Sequence, residues 1–129
     1  KRQELSNTIA DQVSAQLTAI TPQPPYVGGY ELKTVPAMTN SLGTMSFGVL
    51  AEAINGCTTR YLHDTGRRNV LVEGLNLTTF RPIQLESVVT VLLRELEMTR
   101  HDATLDVDVL SDGVQVAKAI VTCQLLERN

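Results

Sequence analysis

The sequence predicts an α+β domain in which one long central helix is followed by strands that pair antiparallel through short turns. Two observations carry this prediction. Apolar residues recur at helical spacing over residues 46–64, and most of the following segments alternate apolar with polar residues, as half-buried strands do. The predicted order is a helix, a strand, the central helix and four further strands, which gives a five-stranded antiparallel sheet.

The N-terminal part of the chain predicts a helix and a connector. Leu5, Ile9, Val13 and Leu17 recur every fourth residue and form one apolar stripe, so residues 5–20 are expected to be helical. Residues 21–25 are rich in proline and should be an extended connector. We therefore divide the chain into a helix with its connector, residues 1–25, and a globular domain, residues 26–129. In the latter, residues 28–29 should be a loop and residues 30–35 a short strand.

The central helix has a clear end and one internal irregularity. Gly66 lies just beyond the last apolar position and suits a C-terminal cap. Gly56 lies in mid-helix, where it costs about 1 kcal/mol relative to alanine. Its expected use is close packing of the helix on a sheet.

The second half of the chain predicts four strands. Strands are expected at residues 70–80, 87–99, about 104–109 and 114–126, and Asp112-Gly113 marks the tight turn before the last one. Small apolar residues on one face of the last strand would let the helix lie close to the sheet. One long helix cannot cover both faces of five strands, so dimerisation is expected to bury the remaining edge or face.

Composition excludes several classes of function. The chain is 43% hydrophobic and 19% charged, so it can form a core, and its net charge of -3 argues against nucleic-acid binding. We expect no signal peptide and no membrane-spanning segment, and we expect a cytoplasmic location. Cys57 and Cys123 lie in apolar stretches and are expected to be reduced and buried, with a disulfide or a reactive thiol as the alternatives. His63 and His101 lack metal-ligand spacing, so no metal site is expected.

Three short motifs together resemble those of one fold family. Asn40-x-x-Gly43-x-x-x-x-Gly48 resembles an Asn-x-x-Gly-x-x-x-Gly-Gly loop at a helix entrance, Phe80-Arg81-Pro82 resembles the step into the third strand, and the turn at Asp112-Gly113 with the strand after it resembles the family's ending. The family is that of the hotdog-fold acyl-CoA thioesterases. The resemblance implies a five-stranded antiparallel sheet wrapped around a long central helix, and a homodimer with two sites at its interface.

Two departures from the family bear on function. Phe47 replaces the first glycine of the family's pair. The position of the catalytic Asp or Glu on the central helix, fifteen residues after the loop asparagine, holds Asn55, which cannot ionise and so cannot act as a base. The chain most resembles the C-terminal hotdog domain of bacterial regulators that also carry CBS and DRTGG domains, and a related hotdog domain senses malonyl-CoA.

These resemblances imply a domain that binds an acyl-CoA as a regulatory signal. Its partners would be a second copy in a homodimer, or a dimer of dimers, and upstream domains of the same chain. The thioester of coenzyme A would be ligand or substrate, with no other cofactor. The alternatives are an acyl-CoA thioesterase and a dimerisation module without a ligand.

The candidate site residues follow from the same loop and helix. Candidates for a catalytic role are Asn40, Asn55 and Glu52. Asn40 could bond the thioester or simply form a turn, and Glu52 shares a helix face with Asn55 but sits one turn too early, so a solvated carboxylate is its alternative. Candidates for ligand binding are Phe47, Gly48, Leu50, Ile54 and Arg81. Free N–H groups at the helix start would face the carbonyl, and Arg81 would face the phosphates of coenzyme A, unless it is only a solvated loop charge.

Overall fold

A computed structural model describes residues 13, 16–34, 36–39, 42–67 and 69–126. In these ranges the helices and strands are, in chain order, β1 (Leu17–Ile20), β2 (Gly28–Lys33), a short 3-10 helix (Pro36–Met38), α1 (Phe47–Asp64), β3 (Val70–Thr79), β4 (Val88–Met98), β5 (Asp102–Ser111) and β6 (Val114–Leu125). The strands form one antiparallel sheet in the order β1-β2-β4-β5-β6-β3. β1 and β3 are therefore the two edges of the described sheet.

The core lies between α1 and one face of the sheet. Alternate residues of the three central strands point at the helix and are almost completely buried: Val89, Val91, Leu93, Leu105, Val107, Val109, Ala117, Ala119 and Val121. From the helix side, Ala53, Ile54 and Leu62 are fully buried against them. The small side chains Ala117 and Ala119 on β6 leave room for the helix to approach, as the sequence predicted.

The boundaries of α1 agree with the prediction. Ser46 is the N-cap, and its hydroxyl accepts a hydrogen bond from the N–H of Val49 at 3.2 Å. At the other end Gly66 has a φ of +103°, a left-handed conformation that glycine adopts without strain. The helical range and the C-terminal glycine predicted from the sequence therefore agree with the structure.

The prediction of a helix over residues 5–20 is wrong at its C-terminal end. Residues Leu17–Ile20 form β1, which pairs antiparallel with β2, so the described sheet has six strands and not five. An exposed edge of β2 offers unpaired backbone groups, and pairing with them outweighs the helical spacing of the side chains. Most of the remaining predicted helix lies outside the described residues. The division of the chain at residue 25 stays a prediction.

The second strand begins earlier than predicted, because the glycine pair belongs to it. A Cβ atom at Gly28 would lie 2.8 Å from Cδ1 of Tyr61, and one at Gly29 would lie 3.0 Å from the side chain of Ile20. Glycine is therefore required by close approach within a strand, where the sequence suggested a loop. The proline-rich segment is not simply extended, since a turn there is closed by a bond from the N–H of Tyr26 to the carbonyl of Gln23 at 3.1 Å.

The last four strands match their predicted ranges closely. The turn between β5 and β6 has positive φ at Asp112 (49°) and Gly113 (86°), as a tight hairpin requires. Cys57 and Cys123 are buried and free, as expected. Among the described residues, no helix is long and apolar enough to cross a membrane.

Candidate functional site

An apolar cavity of about 370 Å³ opens beside the first turn of α1. Its walls come from the loop before the helix, from the helix itself and from the segment that follows β3. The lining residues are Thr44, Met45, Ser46, Phe47, Leu50, Thr79, Phe80, Arg81, Pro82 and Ile83. Met45, Leu50 and Ile83 are buried, whereas Phe47 and Phe80 are exposed by 60% and 53%. Two exposed phenylalanines on one cavity suggest a place for an apolar ligand.

The loop that forms this cavity is held by backbone bonds to the segment after β3. The N–H of Met45 donates to the carbonyl of Ile83 at 2.8 Å, and the N–H of Leu85 donates to the carbonyl of Gly43 at 3.0 Å. Gly43 has a φ of +80°, which explains why glycine occupies this position. The helix-entrance motif and the Phe80-Arg81-Pro82 motif therefore lie side by side, although more than 30 residues separate them in sequence.

Two backbone donors are free at the start of the helix. The Ser46 carbonyl accepts from the N–H of Leu50, and its hydroxyl accepts from the N–H of Val49. No described group accepts a hydrogen bond from the N–H of Phe47 or of Gly48. These two groups lie at the positive end of the helix dipole, where a polarised carbonyl oxygen or an anion is favoured.

A second cavity, of about 450 Å³, lies further along the helix, between α1 and the edge strand β3. It is more polar than the first, and its lining residues are Phe47, Ala51, Glu52, Asn55, Val72, Glu73, Gly74 and Leu75. The Oδ1 atom of Asn55 is buried and has no hydrogen-bond partner. A buried acceptor without a donor is costly, so this cavity suits a water molecule or a ligand group that donates a hydrogen bond.

Phe47 lies at the junction of the two cavities, since its side chain lines both. The apolar cavity begins on one side of this ring and the polar cavity on the other. A ligand with an apolar chain and a polar reacting centre could therefore occupy both cavities at once. Phe47, which replaces a glycine in the family motif, does not fill the apolar cavity.

The polar cavity contains an irregularity of β3. In the pairing with β6, Val72 lies opposite Cys123 and Gly74 lies opposite Thr122, which leaves Glu73 without a partner residue. This is a β-bulge, and it re-aims the extra side chain. Glu73 is exposed and lines the cavity between α1 and β3. Consistently, its negative charge adds to burial in raising the pKa of the Cys123 thiol to about 11.

The described residues among the predicted site residues are distributed over the two cavities and the core. Glu52 and Asn55 line the polar cavity together, while Leu50 and Arg81 line the apolar cavity. Ile54 is fully buried in the core and lines neither of the two. Asn40 lies outside the described residues, so its role stays a prediction.

Sequence reasoning missed Glu73 and the apolar lining supplied by Phe80 and Ile83. A signal for Glu73 was present, because Gly74 interrupts an alternating strand and such a glycine often marks a bulge. A Cβ atom at Gly74 would lie 2.9 Å from the hydroxyl of Thr122, which is a physical reason for the glycine.

The C-terminal half of α1, residues 56–64, is hydrogen-bonded to the sheet. The hydroxyl of Tyr61 donates to a carboxylate oxygen of Glu95 at 2.5 Å, and burial together with this bond raises the tyrosine pKa. Arg60 donates to the carbonyl of Leu17 at 3.2 Å, and its guanidinium lies 5.8 Å from the ring centre of Tyr30. A cleft of about 310 Å³ on this half has no hydrophobic side chain in its lining, which consists of Gly56, Thr59, Arg60, His63 and Asp64. No group of three potential metal ligands occurs in the described part of the chain.

Comparison with known sequences gives one informative relative. No protein-family model matches the chain. Over 100 residues, or 78% of its length, the chain is 37% identical to the uncharacterized protein YtoI of Bacillus subtilis. The chain spans 23% of the length of that relative.

Comparison with solved structures identifies the fold. A hypothetical thioesterase of Streptococcus pneumoniae, solved with coenzyme A, superposes with a TM-score of 0.81 at 16% identity over 98% of both chains. A thioesterase of Thermus thermophilus complexed with coenzyme A and zinc gives 0.71 at 19% identity, over 81% of this chain and 83% of that one. Zebrafish thioesterase superfamily member 2 gives 0.77 at 19% identity, over 95% and 94%. The chain therefore has the α+β hotdog fold of the thioesterase superfamily structures, as its motifs predicted.

Proposed function

We propose that this domain binds an acyl thioester of coenzyme A. The observation that carries the proposal is the apolar cavity at the start of α1, which lies beside two backbone N–H groups that have no acceptor among the described residues. An acyl chain binds in an apolar cavity, and a thioester carbonyl accepts hydrogen bonds from free N–H groups. A site for an acyl thioester therefore needs these two features in adjacent positions. Two structures with the same fold hold coenzyme A, which supports the same class of ligand here.

Different residues of the site contact different parts of the proposed ligand. The acyl chain packs against Leu50, Ile83 and the exposed rings of Phe47 and Phe80. The carbonyl oxygen accepts from the N–H groups of Phe47 and Gly48. Arg81 lines the same cavity, is exposed, and forms no ion pair with any described residue, so its guanidinium is available to the phosphates of coenzyme A.

The biological role that we propose is ligand sensing within a longer, cytoplasmic protein. The relative in Bacillus subtilis is more than four times as long as the matched part, which supports the existence of further domains. Upstream CBS and DRTGG domains would be the partners that respond to the ligand. Asn55, in place of an ionisable acid on the helix, favours binding over rapid turnover.

A titration tests the binding proposal. Calorimetry with acetyl-, hexanoyl- and palmitoyl-CoA should give at least one dissociation constant that is micromolar or tighter. Phe47→Ala should weaken that affinity about tenfold, or about 1.4 kcal/mol, because it removes a wall from both cavities. Leu96→Ala is the matched control, since Leu96 is an exposed apolar residue on β4 and lines neither cavity. Absence of binding to all three esters would contradict the proposal.

A second titration tests the role of Arg81 separately. Arg81→Ala should weaken binding of the acyl-CoA severalfold but leave binding of the corresponding acyl-pantetheine, which has no phosphates, unchanged. Arg100→Ala is the control, because Arg100 is an exposed arginine in the turn at the other end of the strands. Equal losses for both ligands would assign Arg81 to the cavity wall and not to the phosphates.

Hydrolysis of the acyl-CoA is a second candidate function, favoured by the presence of Glu52 and Asn55 in the cavity beside the apolar one. In that case Asn40 or Asn55 would orient the thioester or a water molecule, and Glu52 would be one candidate base.

We also propose that two copies pair through β3, because it is the long free edge of the described sheet. A homodimer, or a dimer of dimers, would bury Leu71, which is 49% exposed on this strand. Sedimentation equilibrium at micromolar concentration should give at least a dimer, and a monomer would contradict the pairing. A dimerisation module without a ligand would show the same mass but would bind no acyl-CoA. No nucleic-acid or membrane partner is proposed for this domain.

A further inference from the structure

The polar cavity holds a carboxylate that the sequence motifs did not reveal. Position 55 on the helix lacks an acid, but Glu73 enters the same cavity from the opposite wall, which is formed by β3. At the bulge, Glu73 has no pairing partner on β6, and this irregularity sets the direction of its side chain. Such bulges often lie next to active sites, because they fix the direction of one side chain on a rigid strand.

Three observations place the exposed residue Glu73 at the polar cavity. Its side chain lines the cavity with Glu52 and Asn55. It has no register partner, whereas its neighbours Val72 and Gly74 do. It lies near Cys123, which is 1% exposed, so its charge adds to the effect of burial in raising the pKa of that thiol.

We propose that Glu73 is the general base of a slow acyl-CoA hydrolysis at this site, which rests on the binding mode proposed above. The unpartnered amide oxygen of Asn55 and the carboxylate of Glu73 both accept hydrogen bonds from one water molecule. With the acyl chain in the apolar cavity, the thioester carbon lies near Phe47, where the two cavities join. The water is then positioned between the base and the carbon that it attacks.

The reaction takes place in two steps. The water oxygen bonds to the thioester carbon while Glu73 takes up its proton, and the N–H groups of Phe47 and Gly48 stabilise the resulting oxyanion. The tetrahedral intermediate then expels the thiolate as the carbon–sulfur bond breaks. Glu73 returns the proton to the sulfur, which leaves the free acid, coenzyme A and the original carboxylate.

The experiment measures binding and hydrolysis on the same proteins. Release of coenzyme A thiol from the tightest-binding ester of the panel is followed with a thiol reagent, and affinity is measured by calorimetry. Glu73→Gln should lower the rate at least about 100-fold, which is the usual contribution of a general base, with affinity changed less than about threefold. Glu97→Gln is the matched control, because Glu97 is an exposed glutamate beside the bulge of β4 and lines no cavity described above.

A second variant separates catalysis from structure. Glu73→Ala should be inactive, and added formate should restore part of its rate by supplying a carboxylate to the vacated space. A purely structural role would show no rescue. Binding without hydrolysis in the wild type, or a Glu73→Gln rate equal to wild type, would overturn the assignment and leave the binding proposal intact. Absence of binding would overturn both.

Discussion

The two halves of helix α1 have different surroundings. Residues 56–64 are tied to the sheet by Tyr61 and Arg60, and Cys57, Thr58 and Leu62 are fully buried in this half. Residues 47–55 bury an inner face as well, but their other side borders two cavities. In the part of the chain that the structure describes, nothing accepts from the first two N–H groups of this half. One helix thus combines a closed half, which stabilises the fold, with an open half, which is free to contact a ligand.

The difference indicates which positions of the helix can be substituted to alter ligand contacts with little effect on the stability of the fold. Substitutions on the cavity side of the open half meet empty space, whereas substitutions on the buried side of the closed half meet packed atoms. A Cβ atom at Gly48 would contact nothing within 4 Å, but a Cβ atom at Gly28 would overlap the ring of Tyr61. The following variants and conditions test this contrast.

The largest effect is expected for Gly28→Ala, against the closed half. The new methyl group would lie 2.8 Å from Cδ1 of Tyr61, a ring that is held in place by Glu95. Overpacking of this kind costs about 2 kcal/mol. Urea denaturation should show a lower midpoint with an unchanged slope, and the affinity for acyl-CoA should stay the same. A loss of affinity with normal stability would contradict the division of the helix.

Alkaline pH should also weaken the closed half. Burial raises the pKa of the Cys57 thiol from 9.0 to about 12 in the folded protein. Because the folded pKa exceeds the unfolded value, stability is retained below about pH 9 and falls by about 1.4 kcal/mol per pH unit as the pH rises toward 12.

The measurement is urea denaturation between pH 8 and 11, with Cys57→Ala for comparison. Cys123 and the buried tyrosines contribute to the same trend, so the variant should show a shallower dependence and not a flat one. An identical dependence in both proteins would show that Cys57 ionises freely in the folded state.

The smallest effect is expected for Gly48→Ala, in the open half. Alanine should stabilise the helix by about 0.5–1 kcal/mol, because it has a higher helix propensity and no neighbour to displace. If the N–H of Gly48 approaches the thioester, the same change should lower acyl-CoA affinity, so stability and binding move in opposite directions. Destabilisation would contradict the open description of this half.

The sequence predicted the helix, the glycine that follows its C-terminal end and four of the strands, because these depend on local periodicity and on glycine at known positions. It did not predict β1, since the backbone pairing with β2 that makes Leu17–Ile20 a strand is not visible in the spacing of Leu17 and its neighbours. It also assigned Gly28 and Gly29 to a loop, because the close approach of Tyr61 and Ile20 depends on tertiary packing.

The candidate site was predicted in part, for the same reason. Phe47, Leu50 and Arg81, which lie in or beside the motifs, line one cavity, and their contact with a ligand stays a prediction. Ile54, also predicted to bind the ligand, is fully buried in the core and lines neither cavity, so its role stays a prediction. Glu73 was missed because its direction depends on a bulge that forms only when β3 pairs with β6.

Hydrogen–deuterium exchange with and without the tightest-binding acyl-CoA tests the central claim most directly. Ligand contact with the open half should slow exchange in residues 44–55 and in residues 72–83, which contribute the lining of both cavities. Exchange in residues 56–64 and in the β5–β6 turn should not change. Protection confined to residues 56–64, or absent from both cavity segments despite measured binding, would contradict the account.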